Sequence, residues 1–147
     1  IDACVCTLDS INYVTNPGVL DKAFKRISLF MNPGGMFIFD INTPYKLQIL
    51  DGECFADEEE GIFCVWRVAK TDKNKIYQFI VDIFEENENG SWERDSEEHF
   101  EYAYSLEELV VMLSDAGFCD IQIYGDLSDS APTDGEERVF ITAKKGR

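Results

Sequence analysis

The stretch MNPGGMFIFDINTPY, from Met31 to Tyr45, decides the fold of this 147-residue chain. It begins as the end of a helix, turns at Pro-Gly-Gly and continues as a strand that is apolar on both alternating faces. That pattern is typical of a strand that helices cover on two sides, as in a parallel α/β sheet. Ligands gather at the carboxyl ends of strands in such sheets. The polar residues expected there are Asp40, Asn42, Thr43 and Tyr45.

A βαβ unit surrounds this stretch. Residues 1–7 predict a buried strand, with Val5 and two cysteines in the core. Apolar residues at helical spacing predict a helix over 17–31, which Asn16 caps. Residues 35–42 form the next strand, so the two strands should pair in parallel. Because a domain rarely begins inside its own core, we expect the sequence to be a fragment of a longer chain.

The pattern changes after residue 50. Residues 61–71, 75–86 and 91–104 predict three long strands, and turn residues join them at 72–74 and 87–90. The acidic residues 51–60 predict a solvated loop, or alternatively a rim that favours cationic or amine substrates. We expect residues 51–104 to be an antiparallel meander inserted into an α/β core of residues 1–50 and 105–147.

The last third of the chain predicts one helix and two strands. Ser105 and Glu108 form a capping box that begins a helix over 106–116, and Gly117 ends it. Strands follow over 118–124 and 137–144. The loop between them is too short for a crossover helix, so they should be antiparallel.

Composition limits the function. The net charge is −16, from 13 basic and 29 acidic residues, so binding to nucleic acid or to an anionic membrane surface is not expected. Five cysteines without a pairing pattern indicate reduced thiols and a cytoplasmic protein. With His99 as the one histidine, we expect no metal site.

Three motifs in order now point to a family: IDACVCTLDSINYV at the start, NPGGMFIFDIN in the middle and SLEELVVMLSDAGF from Ser105. Their order and spacing resemble the C-terminal half of a class I S-adenosylmethionine-dependent methyltransferase. The resemblance implies a partial Rossmann-like sheet whose last strand is antiparallel, and S-adenosyl-L-methionine as cofactor. The Gly-rich loop and the acidic ribose-binding residue of the family are not in this sequence. The resemblance places the methionine-side wall of the cofactor pocket at Leu8, Asp9, Ser10, Asn12 and Tyr13.

Methyl transfer from a sulfonium mainly requires that the acceptor be held in place and water excluded. Where the acceptor must lose a proton, Asp9 and Asp40 are the candidate bases, and His99 is a weaker one. Both aspartates could instead be structural, Asp9 capping its loop and Asp40 bonding at the strand end. His99 could be a surface residue.

Aromatic residues of the meander predict a wall for a small organic or cationic acceptor, although most of them could simply pack against the core. Arg67 could clamp a carboxylate of the acceptor or pair with a nearby acid. The predicted substrate residues are Asn42, Thr43, Tyr45, Trp66, Arg67 and Tyr102.

Two functions remain open from the sequence. The first is methyl transfer to a small-molecule acceptor by an enzyme of which this chain is the C-terminal part, inactive on its own. The second is a non-catalytic binding or assembly module, or one part of a split enzyme. In either case the strand over residues 1–7 should leave an exposed edge, through which the chain would self-associate.

Overall fold

A computed structural model describes residues 1–147 as eight strands and three helices. The strands are β1 Ala3–Cys6, β2 Met36–Asn42, β3 Cys54–Glu59, β4 Ile62–Lys70, β5 Ile76–Glu86, β6 Trp92–Tyr102, β7 Phe118–Gly125 and β8 Arg138–Lys145. The helices are α1 Pro17–Phe30, α2 Pro44–Ile49 and α3 Leu106–Asp115. The strands form two four-stranded sheets, so the chain is an α/β protein with a separate antiparallel sheet.

The first sheet has the strand order β1-β2-β8-β7. Strands β1 and β2 are parallel, which confirms the predicted βαβ unit. Strand β8 lies between β2 and β7 and is antiparallel to both, which confirms the predicted reversal of the last strand. This arrangement brings the end of β2 and the start of β8 to the same edge of the sheet.

Helices α1 and α3 pack on one face of the first sheet and form the main core with it. Phe24 of α1 and Leu113 of α3 are fully buried against Phe37 and Phe39 of β2, whose ring centroids are 5.0 Å apart. On the opposite face Ile38 and Phe140 are only half-buried, and Val5 is 61% exposed. The predictions that Val5 is a core residue and that helices cover β2 on both sides are therefore wrong, because α1 and α3 lie on the same side of the sheet.

The second sheet, in the order β3-β4-β5-β6, is antiparallel throughout and confirms the predicted meander. Its first strand, Cys54–Glu59, was expected to be a solvated loop. Every residue of β3 is exposed, so the acidic composition fits an edge strand equally well. The two-residue turn at Glu60 and Gly61, with φ of 44° and 83°, joins β3 to β4 as a tight hairpin.

Local helix signals agree with the structure. The Asn16 side chain accepts a hydrogen bond from the Gly18 N–H at the start of α1. Ser105 and Glu108 form the predicted capping box of α3.

None of the three helices combines the length and apolar character needed to cross a lipid bilayer. All five cysteines are free thiols.

Candidate functional site

A cavity of about 620 Å³ lies between the polar edge of the first sheet, meaning the end at which β2 stops and β8 begins, and one face of the second sheet. This volume is within the range of sites that hold small organic molecules. It is lined by Leu8, Asp9, Tyr13, Asn42, Lys46, Leu50, Phe55, Ala56, Asp57, Trp66, Val68, Phe79, His99, Glu101 and Arg138.

The loop after β1 forms one end of the cavity. Leu8 and Asp9 both adopt left-handed backbone conformations, with φ of 60° and 49°, and Leu8 is 77% exposed. Residues with a side chain rarely adopt this conformation, and each costs about 1–2 kcal/mol. The Ser10 hydroxyl stabilises the turn by donating to the Thr7 carbonyl at 2.7 Å. Such strain concentrates at functional loops, so this turn is a candidate ligand contact.

Arg138, at the start of β8, ties that loop to the end of β2. Its guanidinium donates to Asp9 Oδ1 at 2.8 Å and to Asp40 Oδ2. The Asp9 backbone N–H also donates to Asp40 Oδ2, at 3.1 Å. Burial lowers the pKa of Arg138, but the two carboxylates outweigh that effect and raise it overall. Asp40 is 1% exposed, and its Oδ1 accepts no hydrogen bond.

Asn12 joins three segments beneath the cavity. Its Nδ2 donates to the carbonyls of Asn42 at 2.9 Å and Tyr102 at 3.1 Å, and its Oδ1 accepts from the Asn42 N–H at 3.0 Å. Asn12 is fully buried and does not line the cavity. It therefore positions the ends of β2 and β6 rather than touching a ligand.

The Asn42 side chain connects a base and an acid in the cavity wall. Its Oδ1 accepts from Lys46 Nζ at 2.9 Å, and its Nδ2 donates to Glu101 Oε2 at 2.9 Å. Glu101 is 3% exposed, and burial raises the pKa of its carboxyl group, although the bond from Asn42 acts in the opposite direction.

The second sheet supplies an aromatic wall. The register pairs Val68 with Phe79, and Phe79 with His99, so these side chains share the face that lines the cavity. The His99 ring lies edge-on to Tyr13, with ring centroids 5.9 Å apart. His99 Nε2 is 3.2 Å from Glu97 Oε2, so the imidazole is held from two directions.

Several of the predicted site residues line the cavity. Leu8, Asp9 and Tyr13 do so among the predicted cofactor residues, and Asn42 and Trp66 among the predicted substrate residues. The predicted residues that do not line it are Ser10, Asn12, Asp40, Thr43, Tyr45, Arg67 and Tyr102.

The residues outside the cavity wall have other partners. Thr43 caps α2, and the Tyr45 ring lies against Gly135. The Tyr102 ring packs on the Tyr104 ring with centroids 4.4 Å apart. These side chains pack around the cavity, and none of them lines it.

Arg67 lies on the face of the second sheet that points away from the cavity. It pairs with Asp82, which also accepts from Arg94 at 2.6 Å. Hydrogen bonding from Arg94 lowers the pKa of Asp82 to about 2. Of the two roles considered for Arg67, the structure shows pairing with a nearby acid.

Sequence reasoning missed Lys46, Glu101 and Arg138, and it ranked His99 low. The predicted turn at 87–90 would set Glu86 opposite Ser91 and Phe79 opposite Glu98, whereas the structure pairs Glu86 with Trp92 and Phe79 with His99. Because a shift of one residue reverses the face of every side chain, the predicted turn does not place His99 and Glu101 in the cavity wall. No signal in the sequence marks Arg138 either. No group of three or more His, Cys, Asp or Glu side chains is placed to hold a metal ion.

Comparisons with known proteins agree with this fold. No family model matches the sequence. A candidate methyltransferase of Geobacillus sp. (strain WCH70) is 28% identical over 145 residues, which are 98% of this chain and 59% of that protein. The crystal structure of an S-adenosylmethionine-dependent methyltransferase from Clostridium acetobutylicum ATCC 824 is 30% identical, with a TM-score of 0.89 over 99% of this chain and 58% of the other.

A more distant likeness shows the fold alone. The S-adenosylmethionine-bound structure of CalS10, an amino pentose methyltransferase from Micromonospora echinaspora, is 17% identical, with a TM-score of 0.77 over 98% of this chain and 58% of that one. The chain thus spans less than two thirds of each of these proteins. Sequence and fold together make the chain similar to S-adenosylmethionine-dependent methyltransferases over somewhat more than half of their length.

Proposed function

We propose that the protein transfers a methyl group from S-adenosyl-L-methionine to a small-molecule acceptor bound in the cavity between the two sheets. The observation that carries this is the position of the cavity, which joins the strained loop after β1 to the aromatic face of the second sheet. Ligands of open α/β sheets bind at this end of the strands.

The residues at the loop fit one part of the cofactor. Asp9 carries a carboxylate whose Oδ1 is held by Arg138 and whose Oδ2 accepts no hydrogen bond, so it can take a cationic group. Tyr13 presents an aromatic ring beside it, and aromatic rings attract positively charged groups. Leu8, Asp9 and Tyr13 would therefore contact the methionine part of S-adenosyl-L-methionine, which supplies an activated methyl group on a sulfonium.

The chain's own contribution to the reaction is placement of the acceptor and exclusion of water. Trp66 and Phe79 cover one side of the cavity, and the polar edge of the first sheet covers the other. An acceptor held between them would approach the loop after β1 from the side of the second sheet. Positioning of this kind accounts for much of the acceleration in transfer reactions.

The geometry gives Asp40 a supporting role in this function. Its carboxylate is buried behind Arg138 and the Asp9 N–H and does not line the cavity. Asp40 therefore holds Asp9 in place. A catalytic base must reach the proton that it removes, and Asp40 does not reach the cavity.

Calorimetric titration of S-adenosylhomocysteine tests the proposal. We would titrate the present chain and the product of its complete reading frame, each with a D9N variant and a D21N control that changes a partly exposed acid of α1 outside the cavity wall. Saturable binding that D9N weakens and D21N does not would support the proposal. Absence of binding in both folded forms would overturn it.

The unpaired edge of the first sheet, at β1, supports a second proposal. Strand β1 is an edge strand, and Val5 on it is exposed. Unpaired strand edges recruit other chains. We propose that this chain self-associates through β1.

A further inference from the structure

Glu101 is a buried carboxylate with an unused oxygen in the cavity. Its Oε2 accepts from Asn42 Nδ2 at 2.9 Å, and no group donates to Oε1. The residue is 3% exposed and lines the cavity. Oε1 itself is open to the cavity, since Asp40 Oδ1 is the one side-chain oxygen that is buried without a hydrogen-bond partner. A positively charged ligand group would supply the missing donor.

The other charges around the cavity do not neutralise this acid. Asp9, Asp57 and Glu101 line the cavity, against the two cations Lys46 and Arg138. Arg138 is engaged by Asp9 and by the buried Asp40, which lies behind the wall. Lys46 donates to the Asn42 oxygen. The cavity therefore keeps a negative excess, which favours a cationic ligand.

The apolar part of the wall suits the same kind of ligand. Phe55, Trp66 and Phe79 line it from the second sheet, and Tyr13 lines it from the loop after β1. Aromatic faces attract ammonium groups within about 6 Å of the ring centroid. A neutral apolar ligand would contact these rings but would leave Glu101 Oε1 without a donor.

His99 lies where a proton could be received. In the neutral imidazole, donation from Nε2 to the Glu97 carboxylate would leave the lone pair on Nδ1 to accept a proton. Imidazole exchanges a proton readily near neutral pH. Tyr13, which packs edge-on to this ring, belongs to the loop that we assign to the cofactor.

We propose that the acceptor is a small primary or secondary amine that binds as its ammonium ion to Glu101 and loses a proton to His99. The N–H bond of the ammonium ion breaks, its proton bonds to Nδ1, and the electron pair stays on the amine nitrogen as the nucleophilic lone pair. The imidazolium that forms is stabilised by Glu97. This inference rests on the proposed function, because it names the acceptor class of the same cavity.

Benzylamine and its neutral counterpart benzyl alcohol test the inference by binding alone. The chain has two tryptophans, and Trp92 lies on the opposite face of the second sheet, so a W92F background makes the fluorescence report on Trp66. We expect benzylamine to bind at least about tenfold more tightly than benzyl alcohol, as a hydrogen bond to a charged group implies. E101Q should abolish that preference. E98Q, which changes an acid on the opposite face of the same strand, should retain it.

The single histidine gives a second readout by NMR. Benzylamine should shift the His99 imidazole signals of the unchanged chain and should not shift them in E101Q. Equal affinity for amine and alcohol, no saturable amine binding, or a preference that survives E101Q would overturn the inference. Neither readout depends on S-adenosylhomocysteine, so failure here and failure of the proposed function are observed separately.

Discussion

Removing the Arg138 guanidinium should destabilise the fold strongly. Arg138 bonds Asp9 at 2.8 Å and also bonds Asp40, which is buried. Two charge-assisted hydrogen bonds contribute about 1.5–3 kcal/mol each. Breaking a buried ion pair costs about 3–5 kcal/mol because the remaining charge is uncompensated. The Arg138 side chain is only 24% exposed, so solvent screens the pair weakly. We expect R138M to lower the free energy of unfolding by about 3–5 kcal/mol.

Equilibrium urea unfolding measures this loss, and K144M is the matched control. Lys144 is on the same strand and pairs with Asp120 at 3.3 Å, but both side chains are largely exposed. Its removal should cost at most about 1 kcal/mol. The double variant D40N/R138M should recover much of the loss, since it removes the uncompensated carboxylate. A cost for R138M no larger than that for K144M, or no recovery in the double variant, would refute the reasoning.

Four further outcomes are expected. F39A should lower the free energy of unfolding by about 3–5 kcal/mol, because Phe39 is fully buried; a loss under about 1 kcal/mol would contradict its place in the core. S105A should cost about 1 kcal/mol by removing the cap of α3, and an unchanged urea midpoint would contradict this. The pKa of Asp82 is lowered to about 2, so its ion pairs stabilise the fold above its unfolded pKa of about 4 and less as the pH falls towards 2. The stability difference between the unchanged chain and D82N should therefore shrink from pH 5 to pH 2 in thermal melts, and a widening difference would count against it. Finally, the chain should sediment as more than a monomer, and V5K should reduce that association whereas V111K, on the exposed side of α3, should not; equal effects of the two variants would exclude β1 as the interface.

Much of the fold could be predicted from short stretches of sequence. The Pro-Gly-Gly turn, the strand over 35–42, the Asn16 cap and the capping box at Ser105 all depend on contacts between residues close in the chain. Such contacts carry their own residue preferences, so a pattern of a few residues is enough. The exception is β3, whose turn at Glu60 and Gly61 lacks the usual asparagine or aspartate.

The candidate site was predicted in part. Leu8, Asp9 and Tyr13 were found through the family resemblance, and Asn42 through its place at a strand end. Arg67 was misplaced, because an aromatic neighbourhood in sequence does not reveal which face of a strand a side chain occupies. Register decides that, and a shift of one residue reverses every side chain.

The sequence by itself determined the helix caps and the order of every element except β3, whose hairpin with β4 it did not reveal, because these features depend on local backbone preferences. Only the tertiary structure decided which side chains meet in the cavity. Arg138 reaches Asp40 across 98 positions, and Asn42 reaches Glu101 across 59. The first pair forms because β8 lies beside β2 in the first sheet, and the second forms because the end of β2 packs against β6 of the second sheet. Contacts of that kind follow from the packing of whole elements, and no local pattern in the chain encodes them.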